Sequence, residues 1–153
     1  MSRSYSVFAD NIAAQNSATV PQAQIVATAA VRVKLYDLML GSPSTPADQA
    51  ASWIVKRSST ASTGGTAVTP SPIDIGDPAS SATAMVAPSM SAPTLSVIVL
   101  AWAQNLRATF RWVAAPGKEI TTSASTTTTG GLTLLNTVLT GAFNITTTFE
   151  FEE

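Results

Sequence analysis

Residues 143–152, FNITTTFEFE, carry the strongest structural signal in the chain. Every odd-numbered residue from Phe143 to Phe151 is apolar except Thr147, and every even-numbered residue is polar. Successive side chains of a β-strand point to opposite faces of the sheet. This period of two therefore predicts a strand that turns one face to a core and the other to solvent.

The same alternation recurs upstream, within residues 25–40. Aliphatic and charged side chains alternate there, in the order Val31, Arg32, Val33, Lys34, Leu35. Shorter apolar segments at 53–56 and 132–139 are bounded by Gly, Ser and Thr and are also typical of strands. Six to eight short strands without a long amphipathic helix predict an all-β fold, an antiparallel β-sandwich.

The densest apolar run lies at 94–103 and is apolar on both faces. It predicts a central strand covered from both sides, and the alternating segment 107–112 predicts the second strand of a hairpin with it. Trp102, Phe110 and Trp112 fall close together in this hairpin. We expect them in the core, and the alternative is an exposed cluster that binds sugar or anchors a subunit interface.

Two sites have the residue pattern of a helix start. Thr45 precedes Pro46, and Asp48 follows three residues after Thr45, as at a capped first turn. Asp77 precedes a proline in the same way, ahead of residues 79–84. The sandwich is therefore expected to carry one or two very short helices.

The chain is predicted to divide into an arm and a domain. Residues 1–24 are mostly polar and weakly patterned, and Tyr5, Val7 and Phe8 are their main apolar members. They predict an extended N-terminal arm, which either frays or docks onto a neighbouring subunit. Residues 25–153 show no change in composition, and they predict a single β-sandwich domain.

Composition excludes several classes of function. The 153 residues include 25 Ala, 22 Thr and 18 Ser, but only 17 charged residues, no Cys and no His. Disulfides, zinc fingers and Ser-His-Asp triads are therefore excluded. A net charge of −1 argues against nucleic-acid binding, and apolar runs far shorter than about 20 residues argue against a membrane helix. We expect no cofactor and no bound metal.

Few acidic residues are candidate catalytic or metal-binding groups. Asp37, Asp74 and Asp77 are the obvious carboxylates for a glycan-hydrolysing site, and Asp74 with Asp77 could offer oxygen ligands to Ca²⁺. Aspartates three apart in a loop more often cap turns, so we expect no enzyme. At the other end of the chain, Glu150 and Glu152 predict an acidic strand face that either meets solvent or pairs with basic residues.

Several blocks of the sequence, in order, resemble a family of tailed-phage structural proteins, the cyanophage-type capsid cement (decoration) proteins. The resemblance spans about residue 25 to the end, and its most specific blocks are the one around Thr45-Pro46-Ala47-Asp48 and Trp112-Val113-Ala114-Ala115-Pro116-Gly117. It also includes the segments Leu35–Leu38, Trp53–Arg57 and Gly65–Asp74, and the terminal Glu-Glu.

The resemblance implies a jelly-roll-like β-sandwich that forms homotrimers on the outer surface of an icosahedral phage head. Such a protein binds the major capsid protein where shell subunits meet and stabilises the virion without catalysis. A head-fibre module that binds a receptor or glycan on the same scaffold is the alternative. The candidate interface residues are Tyr5, Val7, Phe8, Arg107, Arg111, Glu150 and Glu152.

Overall fold

The computed structural model describes residues 2–28, 31–43, 45–122, 130–138 and 142–153. Within these ranges the chain forms β-strands and no helix. The strands are β1 (Ser4–Ala13), β2 (Ala23–Val26), β3 (Lys34–Gly41), β4 (Ala50–Ser58), β5 (Thr66–Val68), β6 (Ser71–Pro72), β7 (Thr83–Val86), β8 (Leu95–Asn105), β9 (Phe110–Val113), β10 (Ile120–Thr121), β11 (Gly131–Val138) and β12 (Asn144–Glu152).

The strands form two antiparallel sheets that pack face to face, which confirms the predicted β-sandwich. The first sheet has the order β10-β3-β12-β1-β6, and β9 pairs with β3 on the same side as β10. The second has the order β5-β7-β2-β11-β4-β8. The jelly-roll connectivity implied by the resemblance stays a prediction.

Strand β12 lies in the middle of the first sheet, between β3 and β1. Its residues alternate between buried and half-buried along the whole strand, as the sequence pattern predicts. Ile145, Phe149 and Phe151 are almost completely buried, so the apolar face of β12 forms part of the core between the sheets.

The core contains large side chains from both sheets. Tyr5 and Phe151 of the first sheet stack with ring centroids 5.7 Å apart. Trp53 of the second sheet meets Phe143 edge to face at 6.3 Å. Leu132 and Leu134 of β11 and several leucines of β3 complete the core.

The structure places most of the expected N-terminal arm inside the domain. Strand β1 pairs with β12 along nearly its full length, and it pairs with β6 on its other side. Tyr5 and Val7 are buried in the chain's own core. The alternation in this segment is hard to detect because Phe8, a large apolar residue, stands on the outer face among polar neighbours.

Neither predicted helix is present. Residues 45–49 have no regular structure, and Asp48 accepts a hydrogen bond from the Asn105 side chain instead of capping a backbone turn. Most of the segment 79–84 is irregular, and its last two residues begin strand β7. A cap alone does not make a helix when no amphipathic stretch follows it.

The prediction that β8 is a central strand forming a hairpin with β9 is also wrong. Strand β8 is an edge strand of the second sheet, where it pairs with β4. Strand β9 lies in the first sheet beside β3. The connection, with Leu106 buried, therefore crosses from one sheet to the other. Trp102 and Phe110 still meet, with ring centroids 4.2 Å apart, but across the gap between the sheets.

Candidate interaction surface

The free edges of the two sheets differ greatly in length and chemistry. In the first sheet, one edge is β6, with two residues that include Pro72, and the other is formed by β9 and β10, with four and two. Beyond Ser6, β1 itself is the edge beside β6, and this part of β1 carries Asp10 and an irregular register. In the second sheet, β5 has three residues and β8 has eleven. Natural edge strands are commonly short or protected by charge or proline. By this criterion β8 is the unprotected edge among the described strands.

Strand β8 exposes apolar side chains. Val97 is 56% exposed and Ile98 is 55% exposed, and Leu95, Val99 and Leu100 are half-buried. The sequence has no charged residue between Asp77 and Arg107, so this edge carries no charge of its own. An exposed, uncharged apolar strand edge is typical of a surface that becomes covered in an assembly.

The pairing of β8 with β4 is regular in one half and interrupted in the other. From Leu100 to Asn105, each residue has one partner on β4. The register shifts on either side of Ile98, which lies opposite Lys56. Val97 has no partner on β4, as a bulged residue has none in the ladder. The exposed pair Val97 and Ile98 therefore lies in the irregular half.

The aromatic side chains near β8 are engaged within the chain. Trp102 stacks on Trp53 at 6.5 Å and on Phe110 at 4.2 Å, and its indole nitrogen donates a hydrogen bond to Gln104. Trp112 is half-buried and packs against the core. A sugar-binding platform needs an aromatic face open to solvent, and the Trp102 ring is occupied by packing.

A second surface covers the outer face of the first sheet. Phe8 on β1 lies opposite Thr148 on β12, and Thr148 lies opposite Met39 on β3, so the three share one face. Phe8 is 58% exposed although it sits within a strand. Beside it is a groove of about 370 Å³, whose lining includes Met39, Gly41, Pro43, Thr109, Thr146 and Thr148. We call Phe8 and this groove the Phe8 face.

Acidic residues continue this face along β12. Glu150 lies opposite Asp37 on β3. Asp37 is buried, and the Arg111 guanidinium covers it with a hydrogen bond of 3.0 Å from Nε to Oδ2. The hydrogen bonds to Asp37, reinforced by its charge, raise the pKa of Arg111. Burial, together with the charge of Glu150, raises the pKa of Tyr36.

The remaining acidic residues of this region differ in role. Glu152 accepts a hydrogen bond from the Ser2 hydroxyl at 2.8 Å, on the surface. The Glu153 carboxylate accepts hydrogen bonds from the Ser80 hydroxyl and from the backbone N–H groups of Ser81 and Ala82. Glu153 therefore fixes the loop that leads into β7.

Replacing Glu153 with alanine is expected to lower the free energy of unfolding by about 1–2 kcal/mol, because two backbone N–H groups and one hydroxyl lose a charged acceptor that is only half-buried. Urea unfolding followed by circular dichroism measures the change. Glu152→Ala is the matched control and should change stability much less. Equal losses in the two variants would contradict the role of Glu153 in the loop.

The three aspartates considered for catalysis have separate partners. Asp37 binds Arg111, Asp74 Oδ1 accepts a hydrogen bond from the Gly76 backbone at 2.9 Å, and Asp77 lies 3.7 Å from Arg3. Within the described ranges, no three acidic residues gather in a group able to hold a metal ion. The described part of the chain also has no helix long and apolar enough to cross a bilayer.

The predicted interface residues fall into different environments. Tyr5 and Val7 are buried in the chain's own core, whereas Phe8 is exposed. Arg107 is exposed, and its Nε donates a hydrogen bond to the Pro46 carbonyl at 3.2 Å. Arg111, Glu150 and Glu152 lie on the same outer face of the first sheet as Phe8, and no described ion pair joins either glutamate to an arginine.

Sequence reasoning missed Val97 and Ile98, because the apolar run that contains them predicts a covered strand. The usable signal was the absence of charge from Pro78 to Leu106.

Comparisons of the chain with protein-family models, with curated proteins and with solved structures each found no match.

Proposed function

We propose that this protein is a virion structural protein, a cement protein that binds the outer surface of a tailed-phage head and stabilises it. The observation that carries the proposal is the Phe8 face. An aromatic side chain projects from the outer face of a sheet into solvent beside an uncharged groove, and such an exposed aromatic is a common anchor of protein interfaces.

The sequence supports the same proposal independently. The blocks that resemble cement proteins are spread from about residue 25 to the end, and a low content of charged residues, 17 of 153, suits surfaces that are covered in an assembly. The major capsid protein is the proposed partner. Its binding requires shape and apolar contact rather than a catalytic group.

The chemistry of the Phe8 face defines what the shell must offer. The groove beside Phe8, about 370 Å³ in volume and uncharged, has room for an apolar side chain of the shell, and Phe8 itself requires a recess or an apolar surface on the shell. Glu150 and Glu152, which lie on the same face of β12, favour basic residues opposite them. We therefore expect the contact on the shell to be an apolar patch bordered by Lys or Arg.

Co-sedimentation with empty heads of its own phage tests the proposal. The purified chain should pellet with heads that lack it, and Phe8→Ser should weaken binding about 10- to 100-fold, because an interface anchor is lost. Ile75→Ser is the matched control, since Ile75 is 99% exposed in a loop, and it should bind as the wild type does. If the wild-type chain never pellets with the heads, the cement proposal is wrong.

A further inference from the structure

We call the free side of strand β8, Leu95–Asn105, the β8 edge. This edge can accept a further strand. Within the described residues, β4 is the only strand that pairs with β8. The backbone N–H and C=O groups on its other side therefore have no ladder partner there. An extended strand added to such an edge satisfies these groups, which is the basis of strand addition between proteins.

We propose that the partner is β8 of a second copy of this chain. The two strands run antiparallel about a two-fold axis, so that the second sheet of one copy and the second sheet of the other form one continuous sheet. The contact covers Val97 and Ile98, which are the large apolar side chains exposed on this edge.

Strand length argues for this occupant. The β8 edge has eleven residues, whereas the edge strands β5, β6, β9 and β10 have three, two, four and two. Among the described edges, only another β8 is as long as β8 itself, and its regular half, Leu100–Asn105, is already longer than β5, β6, β9 or β10. Pairing of one surface with its own copy is isologous, and an isologous contact forms a closed two-fold dimer.

Charge argues for it as well. No residue of β8 is charged, so no antiparallel register places like charges opposite each other across the contact. Like charges directly opposite are a common defence of exposed edges against self-pairing. The β9 edge carries Arg111, and the β8 edge has no such defence.

The side chains of β8 also leave room for a close approach. Ala101 and Ala103 are exposed in the half of β8 that pairs one-to-one with β4, and the bulkier Trp102 between them packs on the core. Two strands in one ladder lie about 4.8 Å apart. Side chains in a ladder point to the faces of the sheet, so the small alanines would lie beside the side chains of the added strand without crowding them.

This contact is independent of capsid binding and goes beyond the proposed function. It also differs from the homotrimer that the resemblance implies, because three subunits in a ring must join two different surfaces. The oligomeric state in solution, without phage heads, therefore tests the inference apart from the cement function.

Sedimentation velocity of the full chain is the experiment. The wild type should sediment as a dimer, and the double variant Val97→Lys, Ile98→Lys should be monomeric. Its dimer dissociation constant should rise at least about 100-fold, because two lysines from each copy would lie in an otherwise uncharged strand contact. Circular dichroism should show the same strand content for both proteins, since the two side chains are more than half exposed.

Two controls separate the β8 edge from a general effect of added charge. Ile75→Lys in a loop and Val113→Lys on β9 replace other exposed apolar residues, and both should remain dimeric. Hydrogen exchange gives a second readout, since the amides of β8 should exchange faster in the double variant than in the wild type. A wild type that is monomeric or trimeric, or a dimer that persists in the double variant, would overturn the inference.

Discussion

Replacing Phe149 with alanine is expected to lower the free energy of unfolding by about 3–5 kcal/mol, which is the usual cost of deleting a buried aromatic ring. Phe149 has no exposed surface and lies at the centre of the first sheet, where its neighbours on both sides are β-strands. The surrounding strands are held by their ladders and cannot collapse into the cavity. Small domains are stable by only about 5–15 kcal/mol in total, so chemical denaturation should show a large shift of the midpoint.

Phe8→Ala is the matched control for this prediction. Phe8 lies on the neighbouring strand β1, opposite Thr148, but it faces outward and is 58% exposed. Its replacement should change the free energy of unfolding by less than about 0.5 kcal/mol. If Phe8→Ala destabilised the protein as much as Phe149→Ala does, the assignment of inner and outer faces in the first sheet would be wrong.

Replacing Gln24 with alanine is expected to cost about 3 kcal/mol, because buried polar groups lose their partner. The Gln24 amide nitrogen donates to the Ser58 hydroxyl at 2.8 Å and to the Thr60 carbonyl at 3.0 Å, and it lies 3.3 Å from the Thr133 hydroxyl. Its carbonyl oxygen accepts a hydrogen bond of 2.7 Å from the Ser62 backbone. The side chain thus joins β2, β4 and β11 to the loop after β4.

Gln24→Met separates hydrogen bonding from packing. Methionine nearly fills the volume of glutamine but can neither donate nor accept these bonds. We expect this variant to lose about 2 kcal/mol in thermal or urea unfolding. Stability equal to the wild type in Gln24→Met would mean that the network contributes nothing beyond the volume of its central side chain.

Local sequence patterns predicted those parts of the fold in which one strand face is uniformly apolar. The odd-numbered residues of β12 are buried as the alternation requires. The same rule was hard to apply to β1, because Phe8 stands on the polar face and hides the alternation of Tyr5, Val7 and Ala9. The residue that obscured the strand is the one that gives the outer face its exposed aromatic group.

Pairing between strands could not be predicted from local pattern. A run that is apolar on both faces is typical of a central strand, yet β8 lies at an edge, and β9 joins the other sheet. Which strand becomes a neighbour depends on contacts distant in sequence, and these leave no local signature. The Phe8 face has the same origin, since Thr148, Met39 and Phe8 come together only through pairing of three strands.

The place of β12 between β1 and β3 constrains the order in which the first sheet can assemble. Strands β1 and β3 come from the first third of the sequence, and both find their longest ladder on β12, in the last ten residues. Contacts of such sequence separation close large loops and slow the search for the native pairing. Until β12 arrives, β1 has only the two-residue ladder with β6. Strand β12 therefore joins the part of the first sheet that contains β3 to the part that contains β1. The first sheet becomes a single cooperative unit only when β12 has paired with both.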